Sequence, residues 1–167
     1  GVTGYLSPGD EGSRLFELDE LDEGYPYSKD LSCMTAVSVL CRLFAGEKRS
    51  NEVIKRSVGQ LMKHMPEWRP RDGNKLSTIN VYYWYYGTFA MFQFGGAYWR
   101  KWNEDMQDAL LETQRQVGDD ENGCEDGSWD PIGEWGAAGG RVYSTAMGAL
   151  TLEVYYRYER AKGGQGF

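Results

Sequence analysis

The sequence lacks two features that would assign it to a membrane or a secreted class. No apolar run reaches the roughly 20 residues that a transmembrane helix needs, so no membrane span is expected in this chain. The chain begins at Gly1 with neither an initiator Met nor a signal-peptide pattern. We therefore expect an excised or processed piece of a longer protein.

Positive charge and cysteine are also scarce. Lys and Arg number 18 against 25 Asp and Glu, which gives a net charge of −7. This balance argues against a nucleic-acid partner, because such a surface needs basic residues to displace phosphate counterions. The three cysteines are Cys33, Cys41 and Cys124. Cys33 and Cys41 lie roughly 12 Å apart along one predicted helix, too far for a disulfide. We expect reduced thiols, which favour a cytoplasmic location.

Aromatic residues and glycine are abundant instead. Aromatic residues make up 14% of the chain, with 12 Tyr and 6 Trp, and 22 of the 167 residues are glycine. Apolar residues recur at spacings of three and four, which predicts helices rather than strands. The fold class is therefore all-α. The predicted helices span 31–45, 51–64, 79–96, 97–117 and 141–161.

These helices suggest one domain of stacked αα-hairpins over residues 31–162. Residues 1–30 are rich in turn signals and form a predicted irregular arm, and 163–167 form a predicted flexible tail. Helix 79–96 is apolar almost all round, so it should be buried. Helix 97–117 is amphipathic, and its apolar stripe extends to Thr113 and Val117.

The last predicted helix carries one apolar stripe and a central glycine. Gly148 predicts a close approach of another helix. Glycine in a helix interior costs about 1 kcal/mol against alanine, and a close contact that leaves no room for a side chain would account for it. The predicted buried stripe consists of Tyr143, Ala146, Met147, Leu150, Val154 and Tyr158.

Three stretches carry a family resemblance. Gln114 near a helix end, followed after a loop by Gly127-Ser128-Trp129, resembles the QW repeat of squalene and hopene cyclases and related prenyltransferases. The run GSWDPIGEWGAAGGRVYSTAMGALTLEVYYRY is similar to bacterial proteins with prenyltransferase and squalene-oxidase repeats. SCMTAVSVLCRLFAGE and WYYGTFAMFQFGG are similar to other segments of that group. Together these stretches cover roughly residues 25–160.

The resemblance implies an (α/α) toroid, in which inner helices surround a central cavity. It also implies that the Gln and the Trp tie successive hairpins together. Two departures are visible, because Asp119–Asp126 is inserted between them and the helices are too few for a whole ring. We therefore expect an arc of a terpenoid-cyclase-like toroid, or a reduced one. Its expected partners are a second copy or the remaining helices of a larger parent protein.

The catalytic motifs that the resemblance implies are not present. Class II cyclases use DxDD, which does not occur, and the nearest run to the magnesium-binding DDxxD, residues 119–123, ends in glycine. Zinc-dependent prenyltransferases use Asp, Cys and His, but His64 falls on a different predicted hairpin from Cys124. We predict a non-catalytic module that acts as a scaffold or binds a ligand or partner, without a cofactor.

The alternative is an enzyme that acts on an isoprenoid or a carbohydrate in an aromatic cavity. Asp126 or Asp130 would be its acid. The predicted ligand-binding residues are Trp129, Trp135, Arg141, Tyr143, Trp84 and Tyr85. Aromatic residues at helical spacing more often form core, and Arg141 more often pairs with a loop carboxylate such as Asp130.

The acidic loop offers a calcium alternative. Asp119, Asp120, Glu125 and Asp126 carry oxygen ligands of the kind that calcium prefers. Their spacing does not follow the EF-hand pattern, so a solvated acidic loop is favoured and no metal site is predicted.

Overall fold

All regular secondary structure in the described residues is α-helical, which confirms the predicted class. The computed structural model describes residues 32–70, 77–118, 123–133 and 135–158. The predicted arm, residues 159–162 of the repeat domain and the tail lie outside these ranges. The helices are α1 (Ser32–Phe44), α2 (Glu52–Leu61), α3 (Val81–Phe94), α4 (Gly96–Leu111), α5 (Gly136–Leu152) and α6 (Val154–Arg157).

Helix α3 forms the centre of the fold. It packs against α1, α4, α5 and α6, while α2 packs against α1. Trp84, Ala90 and Met91 on α3 are fully buried, as expected for a helix that is apolar nearly all round. Asn80 begins the helix, and its side-chain oxygen accepts a hydrogen bond of 2.9 Å from the backbone N–H of Tyr83.

The contact between α3 and α4 depends on a glycine. A Cβ atom at Gly87 would lie 2.5 Å from the Trp102 ring, so only glycine leaves room for this ring. The Trp102 indole Nε1 donates a hydrogen bond of 2.9 Å to Thr88 Oγ1. The Tyr83 ring meets Trp102 edge to face, and its hydroxyl donates to the His64 carbonyl at 2.9 Å. The contacts of Trp102 and Tyr83 therefore hold both α4 and the chain after α2 against α3.

Helix α4 ends at Leu111, six residues before its predicted end. The following chain pairs with the next loop instead of continuing the helix: Arg115 N donates to Ser128 O at 2.9 Å, and Gly127 N donates to Arg115 O at 2.8 Å. The predicted apolar position Val117 is 91% exposed, so its place on a buried stripe was wrong.

The buried face of α5 also differs from the prediction. Gly140 adopts a left-handed φ of 66°, so the regular helix starts at Arg141, as predicted, after one irregular turn. Its buried residues are Ser144, Gly148 and Thr151, whereas Ala146 is exposed. Gly148 was predicted to face another helix, but it faces the Trp129 side chain. A Cβ atom added at Gly148 would lie 2.9 Å from the nearest atom of the Trp129 ring.

The break after Leu152 separates α5 from the single turn α6. Val154 on α6 is fully buried, as predicted. Within the described residues, no helix combines the length and the apolar character required to cross a bilayer.

We predict that Gly87→Ala destabilises the protein by about 1–3 kcal/mol, because the added methyl group overlaps the buried Trp102 ring. Urea unfolding followed by circular dichroism measures this loss. Gly59→Ala on α2 is the matched control, since a Cβ there meets nothing within 4 Å. The control should gain about 0.5–1 kcal/mol from its helix propensity, and equal effects of the two substitutions would contradict the packing argument.

Candidate functional site

The loop between α4 and α5 is organised around the carboxylate of Asp130. Arg115 binds this carboxylate with two parallel hydrogen bonds, Nε to Oδ1 at 3.0 Å and Nη2 to Oδ2 at 2.8 Å. Arg141, at the start of the regular part of α5, adds a third contact through Nη2 to Oδ1 at 2.8 Å. Asp130 therefore connects the chain after α4 with the beginning of α5.

Arg141 also holds the first part of this loop. Its Nη2 lies 3.0 Å from Glu125 Oε1, and its Nη1 donates to Ser128 Oγ at 3.0 Å. This is the pairing with a loop carboxylate that the sequence favoured over ligand binding. Its guanidinium group is thus engaged by three loop residues.

The two arginines change the acidity of Asp130. Hydrogen bonds from Arg115 and then Arg141 hold the pKa of this carboxyl below its usual value, against the opposing effect of partial burial. Asp130 is therefore a carboxylate at neutral pH, with its oxygens committed to guanidinium groups. A general acid needs a proton to deliver near the working pH, so this geometry does not suit Asp130 for the acid role.

Trp129 fixes the loop to the core. Its side chain is 2% exposed, and its Nε1 donates a hydrogen bond of 2.8 Å to the Leu110 carbonyl at the end of α4. Gln114 Nε2 donates to the Gly127 carbonyl at 2.7 Å. The Trp129 backbone N–H donates to Thr145 Oγ1 on α5 at 3.2 Å. The loop thus contacts both flanking helices.

The other predicted aromatic residues lie among different neighbours. Trp84 is fully buried on α3, and its ring centre is 6.0 Å from that of Trp68. Trp135 lies at the beginning of α5, where its carbonyl accepts the Gly139 N–H. The half-buried Tyr143 ring lies under Gly139, where a Cβ would come within 2.5 Å of it. None of Trp84, Trp135 and Tyr143 lines the open cleft beside α4.

Tyr85 belongs to a tyrosine contact between α3 and the end of α6. Its hydroxyl lies 2.8 Å from the Tyr158 hydroxyl, and the Tyr158 ring stacks on Phe89 with centroids 3.9 Å apart. Burial and the hydrogen bond to Tyr158 raise the pKa of Tyr85 to about 12. Tyr85 is therefore a neutral packing residue at physiological pH.

The calcium candidates are only partly within the described residues. Asp119 and Asp120 lie outside them, and Glu125 is paired with Arg141. One carboxylate oxygen of Asp126, Oδ1, is buried without a hydrogen-bond partner among the described residues. In that part of the chain, no three His, Cys, Asp or Glu side chains are grouped as metal ligands.

The sequence did not reveal an open cleft of about 670 Å³ that lies between α4 and the chain after α2. One wall is the chain after α2, residues 63–69, and the other is the face of α4 that carries Asp105, Asp108 and Glu112. The spacing of these carboxylates, three and four residues, was the available signal, because it aligns them on one side of a helix.

Arg115 was the second omission. It follows the QW-like Gln114 directly, outside the α4 helix, and its partner Asp130 is 15 residues away in sequence. No local pattern identifies such a pair, since the backbone pairing of Arg115 with the loop brings the two side chains together.

We predict that Asp130→Asn makes the stability of the protein less sensitive to acid. A carboxyl group with a lowered folded pKa stabilises the fold above its unfolded pKa of about 3.9, and this contribution is lost as pH falls through the folded pKa. The substitution removes that component, so the free energy of unfolding should fall less steeply below pH 4. Urea titrations at several pH values measure the slope.

Glu104→Gln is the control for this experiment, because Glu104 is exposed on α4 and forms no ion pair among the described residues. It should keep the wild-type slope. A wild-type slope in Asp130→Asn as well would show that the ion pairs do not lower the pKa of Asp130 in solution.

Comparison with known proteins gives no assignment. No family model, curated protein or solved structure matches this chain. The resemblance to the cyclase repeat therefore stays a prediction that depends on the motifs quoted above.

Proposed function

We propose that this chain is a non-catalytic helical scaffold module that docks against a second copy of itself. One observation carries the proposal, an exposed apolar stripe along α5 and α6 that we call the α5 stripe. Val142 at one end is 83% exposed, and Tyr156 at the other is 81% exposed. The α5 stripe consists of four apolar residues, Val142, Ala146, Ala149 and Tyr156, and of Glu153, which pairs with Arg157; the five stripe residues are all exposed.

The spacing of this stripe suits helix pairing. Its residues recur at four, three, four and three positions, the pattern of a coiled-coil seam. Val142 lies on α5 and Tyr156 on α6, which are joined through Glu153 in a right-handed helical conformation. The 14 positions between them would span roughly 21 Å in a continuous helix. Small residues in the middle, Ala146 and Ala149, allow two helix backbones to approach.

The stripe is also self-complementary. Ala149 lies midway between Val142 and Tyr156 in sequence. An antiparallel pair of stripes therefore places each Val142 against the Tyr156 of the other copy, with Ala149 at the twofold axis. Twofold symmetry with one shared patch is the commonest arrangement of homodimers.

The area of the stripe indicates a weak dimer. One aromatic side chain buries roughly 150–250 Å², so two stripes together supply at most about the 1,000 Å² that a stable interface needs. We expect association at high protein concentration, or as one contact among several in a larger assembly.

Two further observations, on Asp130 and on the pair Gln114 and Trp129, support a structural rather than a catalytic role. Asp130, a candidate acid of the enzyme alternative, is held as a carboxylate by Arg115 and Arg141. Gln114 and Trp129 bind across the α4–loop junction, in the manner that the QW resemblance implies for an arc of a terpenoid-cyclase-like toroid. The toroidal arrangement is part of this proposal.

We predict that Val142→Glu with Tyr156→Glu abolishes self-association, because four like charges then face one another across the twofold axis. Sedimentation velocity over a concentration series up to about 1 mM should show a concentration-dependent dimer of the wild type, with a dissociation constant weaker than micromolar. The double variant should stay monomeric.

Val117→Glu is the matched control, since Val117 is an equally exposed valine outside the α5 stripe. It should associate like the wild type. A wild type that is strictly monomeric at the highest concentration, or an equal loss in the control, would overturn the proposal.

A further inference from the structure

The cleft beside α4 has two walls of opposite charge. The acidic wall consists of Asp105, Asp108 and Glu112 on α4. The basic wall, in the chain after α2, carries Lys63 and Arg69 together with Glu67, so its net charge is +1 with His64 counted as neutral. No ion pair joins the two walls within the described part of the chain, although Arg69 lies 3.8 Å from Glu67 on its own side.

The acidic wall is electrostatically unfavourable by itself. Asp105 is neutralised by Lys101, one turn earlier on α4. Asp108 and Glu112 have no such partner among the described residues, and like charges four residues apart on a helix repel. They also lie at the C-terminal end of α4, whose dipole is negative and whose last turn contains no basic residue. A cationic group in the cleft would pair with these carboxylates, reduce their mutual repulsion and offset the negative end of the helix dipole.

The basic wall limits which cation fits. Lys63 forms no ion pair among the described residues, so it would repel a ligand that carries only positive charge. A ligand with an anionic group at its other end would instead contact Lys63. The lining also includes the apolar residues Pro66 and Trp68 on the first wall and Ala109 on α4, which offer contact to a short carbon chain.

We propose that this cleft binds a zwitterionic ligand, with its ammonium group against Asp108 and Glu112 and its carboxylate towards Lys63. Its volume of about 670 Å³ falls within the range of small-molecule sites. The chemical class is an amino-acid-like molecule or a short peptide with free termini. This site shares no residue with the α5 stripe, so it stands independently of the proposed scaffold role.

Matched six-carbon probes test the charge requirement. The probes are 6-aminohexanoate (a zwitterion), 1,6-diaminohexane (a dication) and adipate (a dianion), and trialanine with free termini represents a peptide source. Titrations followed by ¹H–¹⁵N NMR should show 6-aminohexanoate, trialanine or both perturbing residues 63–69 and 105–113. The diamine and adipate should bind at least tenfold more weakly.

Isosteric variants test the walls. D108N/E112Q should raise the dissociation constant of the bound zwitterion at least tenfold, whereas E104Q, on the same helix but outside the cleft lining, should leave it unchanged. K63Q should weaken the zwitterion and remove its advantage over the diamine. Circular dichroism of each variant checks that the helices are intact.

Several results would overturn the inference. The zwitterion could fail to bind at millimolar concentrations, or the diamine or adipate could bind more tightly than the zwitterion. The NMR signals that move could also belong to residues outside the cleft. Insensitivity of the bound zwitterion to D108N/E112Q would overturn it as well. The result is independent of the oligomeric state, so a monomeric protein that binds 6-aminohexanoate would reject only the scaffold proposal.

Discussion

The burial of α3 on several sides is the constraint on which the other contacts depend. A helix with four neighbours has little surface left for polar groups, so its hydrogen-bonding side chains need partners within the core. Thr88 meets this requirement by accepting the Trp102 indole hydrogen. Gly87, one residue earlier, makes room for the same ring. The two adjacent residues therefore set both the distance and the rotation of α4 against the core.

The loop after α4 is fixed mainly by an aromatic side chain, and its ion pairs are secondary. Removing a buried tryptophan typically costs about 3–5 kcal/mol, whereas exposed ion pairs contribute about 0–1 kcal/mol each. Trp129 is buried between Leu110 and Gly148, while Asp130 and Arg141 remain partly exposed. Trp129 thus places the loop, and the arginines orient its carboxylates. The carboxylate of Asp130 is therefore held by ion pairs with Arg115 and Arg141 in a loop that Trp129 has already placed.

The acidic residues of this chain fall into two groups with different consequences. In the α4–α5 loop, Glu125 pairs with Arg141, and Asp130 pairs with both Arg115 and Arg141. Asp108 and Glu112 on α4 form no ion pair among the described residues, although Lys63 and Arg69 line the opposite wall of the same cleft. The first group stabilises a connection between helices. The second leaves negative charge beside an open cleft, and there the chain offers an interaction to a ligand.

The sequence by itself determined the helical class, the approximate helix positions and the burial of α3, because helical periodicity and all-round apolarity are local properties. It also indicated that Arg141 pairs with a loop carboxylate such as Asp130. Only the tertiary structure decided that α4 stops at Leu111 and that Gly148 faces Trp129, since the Arg115–Ser128 backbone pairing joins segments distant in sequence. The rotation of α5, the ion pair of Arg115 with Asp130 and the cleft beside Asp108 have the same origin. Each depends on which surfaces meet, and neighbouring residues along the chain do not specify this.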